Sequence, residues 1–129
     1  ILAMDADIVI LDEPTAGLDP KSRNQIMEML KKLQLEQNKT IILVTHEMND
    51  VAKYVDEIKI MKQGQLVEEC SPRKLFSDTN YVNQLHLDVP DVVKLQRDIE
   101  DKYQYYFNKI ALTEDEFIDM YKEWQEDER

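Results

Sequence analysis

The chain has 129 residues, enough for one core, with 16 Lys and Arg against 27 Asp and Glu, a net charge of −11 and 43% hydrophobic residues. This acidity opposes nucleic-acid binding, and no apolar run approaches the ~20 residues of a membrane helix. Cys70 stands alone, which excludes an internal disulfide and agrees, with no signal-peptide pattern in view, with a cytoplasmic protein.

The first predicted element is a strand, Ile8-Val9-Ile10-Leu11. Its unbroken apolar run suits a strand covered on both faces of a parallel sheet. It ends in adjacent carboxylates, Asp12 and Glu13, at the edge of such sheets where ligands bind. One carboxylate can hold a hard cation such as Mg²⁺ and the other can orient an attacking water in phosphate chemistry. Taken alone, Asp12-Glu13-Pro14 also reads as a solvated turn.

A helix follows, with Asp19 as its N-cap, Pro20 at its first position, and Ile26, Met29, Leu30 and Leu33 as the apolar stripe. The second strand, Thr40 to Val44, runs into Thr45-His46-Glu47. A strand, helix, strand unit makes the two strands parallel and brings His46 to the same rim as Asp12 and Glu13, where it can donate to a phosphate oxygen or hold the water-positioning acid. The glycosylation sequon at Asn38-Lys39-Thr40 is coincidental in a non-secreted chain.

Downstream, Glu57–Met61 and Leu66–Glu69 predict a hairpin with Gly64 at its turn. His86 has no strand-end partner and reads as an ordinary surface or packing residue. Pro90 opens a helix whose apolar positions are Val92, Leu95, Ile99, Tyr103 and Tyr106. Thr113 and Glu116 form a capping box for the last helix, with Leu112 and Phe117 as its hydrophobic staple. Phe117, Met120, Tyr121 and Trp124 share one face, either packed internally or offered to a partner. The acids from Glu126 to Glu128 lack a favourable helix-dipole position and should fray.

Together these residues carry a family resemblance. Ile8-Val9-Ile10-Leu11-Asp12-Glu13-Pro14 resembles the Walker B motif of an ATP-binding-cassette ATPase, Ala16-Gly17-Leu18-Asp19 its D-loop, and Val44-Thr45-His46-Glu47 its switch or H-loop. The resemblance implies that Asp12 serves the Mg²⁺ and nucleotide site and Glu13 is the catalytic base. It also implies that Asp19 lies at the nucleotide-bearing interface with a partner ATPase and that His46 contacts the γ-phosphate. Ser71-Pro72-Arg73-Lys74-Leu75-Phe76 and Leu87-Asp88-Val89-Pro90 resemble the C-terminal region of energy-coupling-factor transporter ATPases, which energise vitamin and cobalt or nickel uptake. Cys70 stands where glycine is usual in that region.

The fold implied is α/β: a partial P-loop NTPase sheet with the Walker B and H-loop strands, a β-hairpin and a helical C-terminal extension. On this reading residues 1–70 are the C-terminal part of the nucleotide-binding core and residues 71–129 are the helical extension and a dimerisation region. Glycine occurs only at positions 17 and 64, so these residues include no P-loop of the form G-x-x-x-x-G-K-[ST]. The Gln-bearing loop and signature sequence are also missing, and Ile1–Asp5 resembles the tail of the helix after the signature. The expectation is therefore the C-terminal half of a longer ATPase that binds ATP and Mg²⁺. Its implied partners are a second ATPase subunit, as homodimer or heterodimer, and integral membrane transporter subunits at the cytoplasmic face of the cell membrane. Two rivals are a structural dimerisation fragment with relic site groups and part of another cassette ATPase, such as an amino-acid importer's.

Overall fold

A computed structural model describes residues 6–127. The expected helix tail at Ile1–Asp5 and the fraying of Glu128 lie outside them. The chain divides into two compact units, residues 1–46 and 47–129.

In the first unit, β1 (Ile8–Asp12) and β2 (Thr40–Val44) pair in parallel, from Ile8 opposite Thr40 to Asp12 opposite Val44. They are joined by α1 (Pro20–Gln37), as expected of a strand, helix, strand unit. Asp19 caps α1, and the helix closes at Asn38, whose left-handed backbone, φ 54°, ends it. The buried face of α1 is turned from the predicted stripe, with Met27 and Leu30 buried and Met29 exposed. On a helical wheel Ile26, Met27, Leu30 and Leu33 also form one arc, and the sheet covers that arc while leaving Met29 at its border.

Only one face of the strand pair is covered. Val9 is buried and Leu11, Ile41 and Leu43 are half-buried, whereas Ile8 is 59% and Ile10 67% exposed, and Ile42 and Val44 are also exposed. The far face is open in this chain, because α1 is the unit's one helix among the described residues.

The second unit begins with α2 (Met48–Tyr54), followed by a hairpin of β3 (Ile58–Lys62) and β4 (Gln65–Cys70). Gln63 and Gly64, at φ 52° and 76°, supply the paired left-handed conformations of a two-residue hairpin turn. Next come α3 (Pro72–Phe76), capped by Ser71, and α4 (Thr79–Gln84), capped by Asp78. The latter is an element that sequence reasoning did not anticipate. His86 is exposed, at φ 59°. A single core joins Met48 and Val51 of α2, Ile60 of the hairpin, Phe76 and Val82, and residues of the last two helices, α5 (Asp91–Tyr103) and α6 (Glu114–Asp127).

On α5 the buried positions are Val92, Val93, Gln96 and Glu100, while Leu95, Tyr103 and Tyr106 of the predicted stripe are exposed. Two polar residues displace the apolar ones because both are fully bonded inside. Gln96 accepts from the Ala111 amide at 2.8 Å and donates to the Lys109 carbonyl at 3.0 Å. Glu100 accepts from Arg97 at 2.7 Å and from the Phe107 amide at 3.0 Å. This network folds the segment after α5 back on its own helix.

The capping box of α6 forms in one half as expected, with Thr113 Oγ1 accepting from Glu116 N at 3.1 Å; in the other half the Glu116 carboxylate accepts from Leu112 N, one residue before the cap, at 3.2 Å. Phe117, Met120 and Trp124 are buried. Trp124 stacks on Tyr105, with centroids 5.0 Å apart and planes at 16°, and meets Phe107 and Tyr103 edge-on. Internal packing therefore claims most of this face, leaving Tyr121 exposed. Glu126 and Asp127 remain helical, contrary to the expected fraying.

Candidate active site

The site is built where β1 and β2 end together. The ladder extends one residue past Asp12, because Glu13 N donates to Val44 O at 2.8 Å. At Glu13 the backbone turns sharply into the left-handed region, φ 48°, and the chain closes into turns through Ala16 N to Glu13 O and Leu18 N to Thr15 O, both 3.2 Å. Gly17, at φ 79°, supplies the other left-handed position. The reversal aims consecutive carboxylates differently, with Asp12 left exposed and Glu13 drawn toward the end of β2.

There Glu13 Oε1 lies 2.6 Å from His46 Nδ1, and Thr45 Oγ1 makes a longer, 3.4 Å bond to Glu13 Oε2. An ionised carboxylate only accepts, so the proton of the short contact sits on Nδ1 and Nε2 is left for another group. The His46 side chain is 82% exposed and that of Glu13 32% exposed, so the pair faces solvent and is accessible to a ligand. A pair so exposed contributes little to stability. Thr45 is the member that sequence reasoning left without a role; its hydroxyl beside His46 was the available signal.

Asp19 is not brought into this pair. Its carboxylate accepts from Ser22 Oγ at 2.7 Å and from Ser22 N at 3.3 Å. The Ser22 hydroxyl and then its amide hold the Asp19 carboxyl below its ordinary value of 3.8. Its structural task here is the start of α1, and its exposure leaves it open to a further contact.

For Mg²⁺ the donor chemistry fits. Asp12 presents an exposed hard oxygen donor at the strand edge. No group of three His, Cys, Asp or Glu among the described residues forms a protein cage. Mg²⁺ held by one carboxylate, with waters and phosphates completing its shell, needs none.

Comparison with known proteins places this geometry in context. Residues 1–49, which contain all three motifs, match the family described as AAA domain, putative AbiEii toxin, Type IV TA system. The whole chain is 96% identical over 129 residues to the energy-coupling factor transporter ATP-binding protein EcfA2 of Staphylococcus saprophyticus, covering 45% of that protein. The protein of the same name from Staphylococcus aureus is 52% identical over 125 residues, 97% of this chain and 44% of the relative. The chain thus spans a little under half the length of the curated relatives it matches.

Among solved structures, cbiO1 from Clostridium perfringens, part of the ABC transporter complex cbiONQ, superposes with a TM-score of 0.56 at 35% identity. That match covers 74% of this chain and 38% of the other. An ATP-binding cassette solved as a dimer in a post-hydrolysis state with ADP and Pi gives a TM-score of 0.52 at 38% identity, over 56% of this chain and 31% of that one. Three motifs in order, a parallel strand pair that unites two of them and near-identity along the whole length agree: the chain is a C-terminal portion of an ATP-binding-cassette ATPase, most like the energy-coupling-factor transporter subunit.

Proposed function

We propose that this chain supplies the Walker B, D-loop and H-loop part of the ATP-hydrolysing subunit of an energy-coupling-factor importer for vitamins or transition-metal ions. The observation that carries the reading is the 2.6 Å contact between Glu13 and His46 across the ends of two parallel strands. In this reading Glu13 is the general base that accepts a proton from the attacking water. His46 holds Glu13 through Nδ1 and turns Nε2 toward the γ-phosphate; donation from both nitrogens at once requires the cationic ring. Asp12 would hold Mg²⁺, which when bound neutralises charge on the phosphates. Asp19 lies at the interface with a second ATPase subunit, in a homodimer or heterodimer.

The cbiONQ complex of one structural relative and the dimeric ADP and Pi state of another support assembly with a second ATPase and with membrane subunits. No helix among the described residues is long and apolar enough to cross a membrane. Such a subunit works peripherally at the cytoplasmic face and has no use for nucleic acid. The test is made in the full-length ATPase. Glu13→Gln should keep ATP binding and lose turnover by on the order of 10² to 10⁴. His46→Ala should likewise lose most turnover. Near-normal hydrolysis by either variant would remove the role assigned to that residue.

A further inference from the structure

Glu13 is held at three points, all by the chain that ends β2. Its backbone N donates to Val44 O at 2.8 Å, and the next two residues take its two carboxylate oxygens, Thr45 Oγ1 meeting Oε2 at 3.4 Å and His46 Nδ1 meeting Oε1 at 2.6 Å. Consecutive side chains in a regular strand point to opposite faces and do not converge on one group. They converge here because β2 stops at Val44 and the backbone at Glu13 turns left-handed, φ 48°. The two side-chain holds differ in kind. The His46 side chain is 82% exposed, so its ring can move to a ligand. Thr45 is half-buried, and its branched Cβ restricts χ1. The carboxylate only accepts, so the Thr45 hydroxyl is the donor. The terminal torsion of a glutamate is soft, and a carboxylate held through Oε1 alone can swivel about it. A second hold on Oε2 fixes its plane.

We propose that Thr45 is a positioning residue for ATP hydrolysis: its hydroxyl fixes Oε2 of Glu13, so that the carboxylate stays aimed at the attacking water while His46 turns to the γ-phosphate. The inference rests on the function proposed above and adds to it a residue that acts only through Glu13. A separation of 3.4 Å is long for a hydroxyl donor, and bonds around a general base are often long in the free enzyme and tighten in the Michaelis complex. The aim of the base matters because misplacement of about 1 Å at a reacting group can cost on the order of 10² in rate.

The test is made in the full-length ATPase. Thr45→Val keeps the branched shape and removes the hydroxyl. It should lower kcat about tenfold and leave KM for ATP within about twofold, because the aim of the base is lost and no contact to the nucleotide is. Thr45→Ser returns the hydroxyl without the methyl and should recover kcat to within about threefold of the parent. Added to Glu13→Gln, Thr45→Val should cost nothing more in residual turnover, because the group it aims is already gone. An unchanged kcat in Thr45→Val, a Ser variant as slow as the Val variant, or a full further loss in the Glu13→Gln background would each overturn the proposal, the last by showing that the hydroxyl serves the strand end and not the base. Failure of the underlying site would show separately, as normal hydrolysis by Glu13→Gln itself.

Discussion

A glutamate held at φ 48° carries a conformational cost at the position proposed to do the chemistry. Left-handed backbone costs a residue with a Cβ about 1–2 kcal/mol, and glycine avoids it. Glu13→Gly in the full-length ATPase should therefore abolish turnover and yet raise thermal stability by about 1 kcal/mol, read from nucleotide-free melting curves. A lower melting temperature would mean that the turn is relaxed and the glutamate unstrained. Asp19 makes a different prediction, because Ser22 lowers its carboxyl below 3.8. A carboxyl lowered by folding adds stability that is complete above its unfolded value and fades as pH falls through the folded value. Asn also caps helices but does not titrate in this range. The stability gap between the parent and Asp19→Asn should thus shrink as pH drops below 3.8 in urea titrations. Cys70 is shifted in the opposite sense: burial first, then Glu68, holds its thiol above 9.0. Alkylation at neutral pH should be slower in the folded chain than in denaturant.

At the scale of elements, the helices after β4 depend on buried polar groups as much as on apolar stripes. Glu100 receives Arg97 and the Phe107 amide, and Arg97 donates in turn to the Ser77 carbonyl at 2.8 Å. Removing the carboxylate leaves the Phe107 and Gln96 donors short of an acceptor, while Arg97, 34% exposed, keeps the Ser77 carbonyl and reaches water. Glu100→Ala should destabilise the second unit by about 1–3 kcal/mol. Tyr105 and Phe107 belong to the segment this network holds, and both contact Trp124, the single tryptophan of the chain. Its emission should therefore shift to the red in Glu100→Ala before global unfolding. An emission spectrum like the parent's at every denaturant concentration would show that the segment stays packed without Glu100.

For the whole molecule, the open face of β1 and β2 governs behaviour in solution. Ile8, Ile10, Ile42 and Val44 present contiguous apolar surface on a two-stranded sheet whose outer edges are unpaired among the described residues. The 129-residue chain should self-associate, with a light-scattering mass that rises with concentration, and Ile10→Lys should suppress the rise. A concentration-independent monomer would show that the face is tolerated in water. The same 129 residues lack a P-loop, so they should neither bind ATP tightly nor turn it over. Mg²⁺-dependent hydrolysis by this chain, lost in Glu13→Gln, would contradict that expectation.

By itself the sequence determined the local elements and which side chains stand at their ends. The apolar runs at 8–11 and 40–44, the Asp19-Pro20 helix start, the Gly64 turn and the Thr113 capping box are short-range patterns, and each formed where the residues indicated. The meeting of Glu13 with His46 was legible too, since a strand, helix, strand unit leaves few ways to arrange two strand ends. Tertiary structure decided which side of each element is buried. The chain codes apolar periodicity but not the neighbour that selects among overlapping arcs. The sheet took Met27 in place of Met29, and the carbonyl and amides of the segment after α5 took Gln96 and Glu100 in place of Leu95 and Tyr103. The bond between Asn49 and Asp91, in which Asn49 Oδ1 accepts from Asp91 N at 2.9 Å, was likewise invisible in sequence, because a contact across 42 residues exists only once the chain has folded.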